Sequence, residues 1–232
     1  MIKEKLRIGS LFYKIYLYYY LFLREKFFVK RESYSQFGED LVIKNFFKNK
    51  IGKYVDIGCF NPIKYNNTCL LYNEGWSGLN IDLNSTSIDL FKIARKKDLN
   101  IVACVSEVEG LEVEVFFDSN FSPLNSINKE NLEKFNIQKY TTYKVKTKKF
   151  SNLVNFNFDF LNIDCEGEDY KVLKSIDLTK YTPQLICIEA NTEKNKKLIY
   201  EYLLFNNYEF LERKGPSHIF ERVSHTSNKH KK

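Results

Sequence analysis

Proline and glycine are scarce in this chain of 232 residues, which contains four Pro and nine Gly. No stretch rich in Pro or Ser interrupts the sequence and no repeat is evident, which excludes a flexible linker between domains and a repeat array. Because 44% of the residues are hydrophobic and 16% are aromatic, the chain has enough apolar material for one large core. The sequence therefore predicts a single main domain.

Histidine and cysteine are also too few and too scattered to form a zinc or disulfide framework. Two of the three His residues lie in the polar C-terminal segment 224–232, which we expect to be disordered. The five Cys residues occur singly in apolar runs, without a Cys-x-x-Cys pair. This usage is typical of reduced, buried thiols and predicts a cytoplasmic protein.

Basic charge is concentrated at the two ends of the chain. Residues 1–30 hold seven Lys or Arg against two Glu, and residues 223–232 add three Lys to the formal net charge of +7. The body between these ends therefore has a net charge of about −1. Since proteins that bind nucleic acid usually carry basic residues on the folded body, we expect no nucleic acid among the partners.

The N-terminal segment from Ile8 to Leu23 is almost wholly apolar and aromatic, and basic residues flank it. It is too short to span a bilayer comfortably, and no small-residue cleavage site follows it. Residues 1–30 can lie against a membrane, here its inner face, or pack on the domain or on a second copy in a homodimer. We therefore divide the chain into a helical appendage (1–32), a main domain (33–223) and a tail (224–232).

From residue 35 onward, segments typical of helices and strands alternate, which predicts an α/β fold with a mainly parallel sheet. The predicted helices are 36–48, 84–97, 168–176 and 193–205, and the central strands are 53–57, 78–82, 101–105, 158–163 and 185–188. Residues 111–117 and 143–150 alternate in polarity, and we expect the first of them as an insertion at a sheet edge. Residues 208–212 and 218–223 flank Gly215-Pro216 and predict a closing antiparallel hairpin.

Acidic residues follow three of the predicted strands, at the edge where open α/β sheets bind ligands. Asp56 with Gly58 closes the first strand, Asp82 the second, and Asp164 with Glu166 the fourth. A carboxylate such as Asp82 can accept both hydroxyls of a ribose. Because residues 59–62 contain no glycine, a cofactor without a pyrophosphate fits this loop better than a dinucleotide. The same acids can also be ordinary strand-end residues.

Several short motifs, in the right order, resemble those of the FkbM-type S-adenosylmethionine-dependent methyltransferases. They are SQFGED (35–40), VDIG (55–58), Asn67-Thr68, GWSGLNID (75–82), LNIDCEGED (161–169) with Val172-Leu173-Lys174, and IEAN (188–191). The resemblance covers roughly residues 34–191. Together with the alternating elements, it implies a Rossmann-like, seven-stranded class I methyltransferase sheet with a C-terminal hairpin. It also implies methylation of a hydroxyl on a sugar, glycan or related small molecule.

The resemblance implies a role for each strand-end residue. Asp56 and Gly58 would line the methionine end of S-adenosylmethionine, Asp82 would hold its ribose, and Asp164 would face the reacting methyl group. Gln36 and Ser106 are further candidates on the cofactor side.

Methyl transfer to a hydroxyl also needs a base that removes its proton as the new bond forms. Glu166 and Asp164 are the first candidates, and His218 is another, although a histidine on an edge strand is more often structural.

Metal binding is a rival role for some of these residues. Asp164, Glu189 and Asn191 offer the oxygen ligands that divalent ions prefer, and such an ion can lower the pKa of an acceptor hydroxyl. Glu189 and Asn191 can instead simply cap backbone groups, and we expect a site without metal.

Two other functions compete with the enzyme. A non-catalytic module with this fold would have lost some strand-end acids, whereas this chain keeps them all. A nucleic-acid methyltransferase would need basic residues near its site, and the stretch Lys144 to Lys149 is better explained as a solvated strand face.

Overall fold

The computed structural model of the protein describes residues 7–24, 26, 31–134 and 136–223. The predicted disordered tail, 224–232, lies outside the described residues, as does part of the predicted appendage 1–32. The helices are α1 (Leu11–Tyr19), α2 (Glu39–Phe47), α3 (Cys69–Asn73), α4 (Ser85–Ala94), α5 (Lys129–Lys134), α6 (Phe150–Leu153), α7 (Asp169–Lys174) and α8 (Glu193–Phe205). The strands are β1 (Lys53–Ile57), β2 (Ser77–Asp82), β3 (Leu99–Val102), β4 (Cys104–Ser106), β5 (Glu112–Phe117), β6 (Thr141–Lys149), β7 (Phe160–Ile163), β8 (Leu185–Glu189), β9 (Tyr208–Lys214) and β10 (Ser217–Arg222).

Seven of these strands form the main sheet, in the order β3-β2-β1-β7-β8-β10-β9. Strand β10 runs antiparallel to both of its neighbours, whereas the pairs from β3 to β8 are parallel. The arrangement confirms the predicted Rossmann-like sheet and its closing hairpin.

The strand order reverses beside β1. The chain passes outward from β1 through β2 to β3, and it later returns on the other side of β1 as β7 and β8. The carboxyl ends of β1, β2 and β7 therefore meet at one edge. This is the topological switch point at which open α/β sheets bind ligands.

Helices cover both faces of the sheet, which explains why its central strands are apolar throughout. On one face, Val55 and Leu161 pack in the same buried cluster as Leu173 of α7 and Leu203 of α8. On the other face, Tyr54 and Phe160 share a cluster with side chains of α2 and with Trp76.

The prediction of one continuous third strand over residues 101–105 was wrong. The strand of the main sheet ends at Val102, and the backbone N–H of Ala103 then bonds to the carbonyl of Asp82 at 3.0 Å. The chain continues into β4, which joins a second sheet in the order β4-β6-β5. The segment 111–117 is therefore an edge strand of a separate small sheet rather than of the main one.

Two helix boundaries near this edge also differ from the prediction, for local reasons. Helix α2 begins at Glu39, since Gly38 has φ of 85° and interrupts helical geometry. Helix α4 ends at Ala94, where Arg95 leaves the helix with φ of −122° and ψ of 65° and places its side chain in the interior.

Helix α1 packs on the domain through one face. Tyr13 and Leu17 are buried in the same cluster as Leu70 and Leu90, and the Tyr13 hydroxyl lies 3.1 Å from Oγ1 of Thr86. A short π-helical turn, Tyr20–Arg24, continues α1. Within the described part of the chain, no helix is long and apolar enough to cross a membrane.

Candidate active site

A cavity of about 810 Å³ opens beyond the carboxyl ends of β1, β2, β7 and β8. Its volume is typical of sites that take small molecules, roughly 300–1,000 Å³. Nine of the ten residues predicted for the site line it: Gln36, Asp56, Gly58, Asp82, Ser106, Asp164, Glu166, Glu189 and Asn191. The structure thus brings together residues that are up to 155 positions apart in sequence.

The loop after β1 begins with a tight turn at Gly58. This residue has φ of 79°, in the left-handed region that favours glycine, and its N–H donates to the carbonyl of Ile81 at 2.8 Å. The N–H of Asp164 donates to the carbonyl of Ile57 at 2.9 Å. These bonds hold the ends of β1, β2 and β7 together at the base of the cavity.

Asp82 ends β2 and organises the start of two loops. Its Oδ2 accepts from the N–H of Phe60 at 2.9 Å, and its Oδ1 accepts from the N–H of Asn84 at 2.7 Å. Burial raises the pKa of Asp82 to about 6, although the bonds from Asn84 and Phe60 oppose the rise. Each oxygen keeps a further lone pair, so the carboxylate can accept hydroxyls from a ligand as well.

Asp56 is buried beneath the same loop, and its contacts are internal. It accepts from Nδ2 of Asn162 at 2.8 Å and from Oγ1 of Thr68 at 2.9 Å. Burial raises the pKa of Asp56, and these hydrogen bonds lower it. The geometry gives Asp56 a role in holding the loop, while a contact with a cofactor stays a prediction.

A buried arginine supports this loop from below, and sequence reasoning missed it. Nη2 of Arg95 donates to Oδ1 of Asn66 and to the carbonyl of Pro62, each at 2.6 Å. Its Nη1 donates to the hydroxyls of Tyr54 at 3.0 Å and Thr68 at 3.1 Å. The prediction extended α4 to residue 97, which would have placed Arg95 in a solvated last turn rather than in the interior.

Asn162 was also missed, although the sequence carries a signal for it. The string Leu-Asn-Ile-Asp occurs twice, at residues 79–82 and 161–164, and places a polar side chain inside a buried strand each time. Both asparagines lie opposite Asp56 in the register of the sheet. A buried amide flanking a buried acid indicates an internal polar network.

The turn after β7 carries the acids that are candidates for chemistry. Glu166 has φ of 51°, a left-handed conformation that is uncommon for residues other than glycine, and Gly167 follows with φ of 97°. Asp169 holds this turn, since its carboxylate accepts from the N–H groups of Cys165 at 2.7 Å and Gly167 at 3.0 Å. Burial raises the pKa of Asp169 to about 7.

Asp164 is exposed to the cavity but enclosed by its walls. This enclosure raises the pKa of Asp164 well above the ordinary value, and the carboxylates of Glu189 and Glu166 raise it further. A carboxylate with a raised pKa is a stronger proton acceptor, which is the property of a general base.

Three carboxylates near this turn could hold a cation. Oxygen atoms of Asp164, Asp169 and Glu189 lie within 4.8 Å of one another, and Asn191 lines the same cavity. Asp169 was not among the predicted metal ligands, and both of its carboxylate oxygens already accept backbone hydrogen bonds. A site that works without metal stays a prediction.

His218 lies apart from these groups, and the structure corrects its prediction as a catalytic base. It is buried on β10, its Nδ1 lies 2.8 Å from the hydroxyl of Tyr200, and it does not line the cavity. Burial, and then the cations of Arg213 and Lys196, lower the pKa of His218 to about 4. The histidine is therefore part of the packing between β10 and α8.

The sheet order, with an acid-lined cleft at its switch point, is the class I methyltransferase architecture. The family model described as Methyltransferase FkbM domain matches residues 51–212, and the chain belongs to this family. No curated protein matches the chain.

Solved methyltransferase structures resemble the fold. Methyltransferase FkbM from Methylobacillus flagellatus KT is 13% identical with a TM-score of 0.48, over 74% of this chain and 43% of that one. TehB from Haemophilus influenzae is 14% identical with a TM-score of 0.44, over 86% of this chain and 66% of that one. The chain thus spans less than half the length of the Methylobacillus protein.

Proposed function

We propose that this methyltransferase uses S-adenosylmethionine to methylate a hydroxyl of a sugar, a glycan or a related small molecule. The observation that carries the proposal is one cavity that holds both Asp82, at the end of β2, and the acids Asp164 and Glu166 after β7. When bound, S-adenosylmethionine supplies a methyl group activated on a positively charged sulfur.

The residues present fit this cofactor. The loop after β1 lacks the further glycines that a pyrophosphate needs, and Asp82 presents an acceptor where a ribose would lie. Asp164, Glu166 and Glu189 give this part of the cavity an acidic lining, which attracts a cationic ligand. Gln36 and Ser106 also line the cavity and would add hydrogen-bonding groups on the cofactor side.

Glu166 or Asp164 then takes the proton of the acceptor hydroxyl. Glu166 is held in a left-handed conformation by its turn, and strain of this kind is concentrated at functional sites. Asp164 has the raised pKa that makes a carboxylate a better base. The two acids differ in position along the turn, so single substitutions distinguish them.

The wall formed by residues 122–127 supports a polyhydroxylated acceptor. Ser122, Asn125 and Ser126 provide hydroxyl and amide groups along the cavity, and Oγ of Ser126 lies 3.4 Å from the carbonyl oxygen of Glu166. This loop therefore contacts the turn that carries the proposed base. Hydroxyl and amide groups can bind several hydroxyls of one acceptor.

The test is to incubate the chain with S-adenosylmethionine and a panel of saccharides, glycosides and small alcohols. We expect S-adenosylhomocysteine to form together with an acceptor that has gained one methyl group on oxygen, as identified by mass spectrometry and NMR. Methylation of an amine or of nucleic acid instead, with every hydroxyl acceptor unchanged, would overturn the proposed acceptor class.

A further inference from the structure

The N-terminal helical segment has an apolar face that the described residues of the domain leave exposed. Its inner face is buried, as described above, while eight apolar side chains on the other side are between 44% and 73% exposed. They are Ile8, Leu11, Phe12, Ile15, Tyr18, Tyr19, Phe22 and Leu23. We call this set the outer stripe.

The outer stripe is continuous along the helix. Its members follow one another at intervals of one or three residues, which places them on one side of a helical segment. Single exposed apolar residues are normal on a protein surface, whereas a continuous apolar strip of this length marks an interaction site.

Charge around the outer stripe indicates what covers it. Arg7, Lys14, Arg24 and Lys26 are exposed on the same segment, and residues 1–30 carry seven basic residues against two Glu. A second copy of the chain would bring the same positive charges against each other. A surface of anionic lipid offers both an apolar layer and the opposite charge.

We propose that the outer stripe docks the protein on an anionic lipid bilayer, with Phe12 and its apolar neighbours in the interface and the basic residues on the headgroups. The segment lies in the plane of the interface and does not span it. This inference concerns a separate surface and does not depend on the identity of the methyl acceptor.

Docking at this face would place one wall of the cavity near the lipid. The ring of Phe121 lies 4.6 Å from that of Tyr20 and 5.3 Å from that of Tyr16, measured between centroids. The residues that follow Phe121, 122–127, line the cavity. The loop of the proposed acceptor site thus rests on the helix that binds the membrane.

The experiment is flotation of the full chain with phosphatidylcholine vesicles that contain or lack about one-third phosphatidylglycerol, an anionic lipid. We expect binding to the anionic vesicles that weakens at high salt. Phe12→Asp should weaken it about tenfold or more, because an apolar anchor is replaced by a negative charge. Lys14→Glu should weaken it about fivefold or more, since each basic residue near such a surface contributes roughly a factor of five.

Phe205→Asp is the matched control, because Phe205 is 86% exposed on α8, outside the outer stripe. It should bind vesicles as the unaltered chain does, and circular dichroism should show all three variants folded. Equal binding to neutral and anionic vesicles, or no effect of Phe12→Asp, would overturn the proposal. So would a dimer in solution that Phe12→Asp dissociates, since the outer stripe would then bind a second copy.

Discussion

The alpha carbon of Gly58 faces the carbonyl oxygen of Asp164 so closely that a Cβ atom on residue 58 would overlap that oxygen. Gly58, which the resemblance places at the methionine end of the cofactor, therefore also allows two loops of the protein itself to approach closely. The backbone after β1 and the backbone after β7 are fixed relative to each other at this contact.

Gly58→Ala should destabilise the fold by on the order of 3 kcal/mol, because the left-handed conformation and the overlap each add a cost. Gly110→Ala is the matched control, since Gly110 has φ of 75° but no atom of the described residues lies within 4 Å of the added Cβ. This control variant should lose only about 1–2 kcal/mol of the free energy of unfolding. Urea denaturation measures both, and equal losses would show that the contact with Asp164 adds nothing.

Binding of S-adenosylhomocysteine should depend on pH through Asp82. Burial raises the pKa of Asp82 to about 6, and only the ionised carboxylate accepts from both ribose hydroxyls. Affinity should therefore be full above this pKa and fall as the pH drops below it, by roughly tenfold for each further unit. Calorimetry at several pH values checks this, and Asp82→Asn should flatten the profile. A profile that Asp82→Asn leaves unchanged would assign the pH dependence to another group.

Arg95→Met should be one of the most destabilising substitutions in the domain. The change leaves the acceptors of Asn66 and Pro62 unpaired in the interior, and breaking such a buried charged network costs roughly 3–5 kcal/mol. Lys92→Met, on the exposed side of the preceding helix α4, should cost less than about 1 kcal/mol. Similar unfolding midpoints for the two variants would contradict a supporting role for Arg95.

Glu166→Gln should keep cofactor binding and lose about 100- to 10,000-fold in turnover, because the amide keeps the shape of the side chain but cannot take a proton. Asp164→Asn is measured beside it, with and without a chelator of divalent ions. The larger loss identifies the base, and a loss caused by the chelator alone reveals a metal. Near-normal turnover in both variants would remove these acids from the mechanism.

Strand periodicity and the motifs after the strands were sufficient to predict the sheet and nine of the residues that line the cavity. Asp82 and Asp164 could be assigned to the cavity because each lies at the carboxyl end of a buried parallel strand. The carboxyl ends of neighbouring parallel strands meet at one edge of the sheet. Helix α8 had the predicted bounds, Glu193 to Phe205, since its start is capped by Thr192 and a polar turn follows it.

What the sequence did not reveal depends on contacts between distant segments. No local pattern indicates that the chain leaves the helix at Arg95 and buries this side chain. Its hydrogen-bond partners Asn66 and Pro62 are about 30 residues earlier in the sequence. The break at Ala103 depends on pairing between β4 and β6, whose paired residues are 43 positions apart. His218 was predicted for the cavity from its type alone, although its neighbour Tyr200 on α8 accounts for its position.

Isothermal titration of the full chain with S-adenosylhomocysteine tests the central claim most directly, namely that the acid-lined cavity is a cofactor site with Asp82 at the ribose. We predict one site per chain, and about tenfold or greater loss of affinity in Asp82→Ala, since a hydrogen bond to a charged group contributes about 1.5–3 kcal/mol. Circular dichroism establishes that the variant is folded. No binding by the unaltered chain, or the same affinity in Asp82→Ala, would contradict the account.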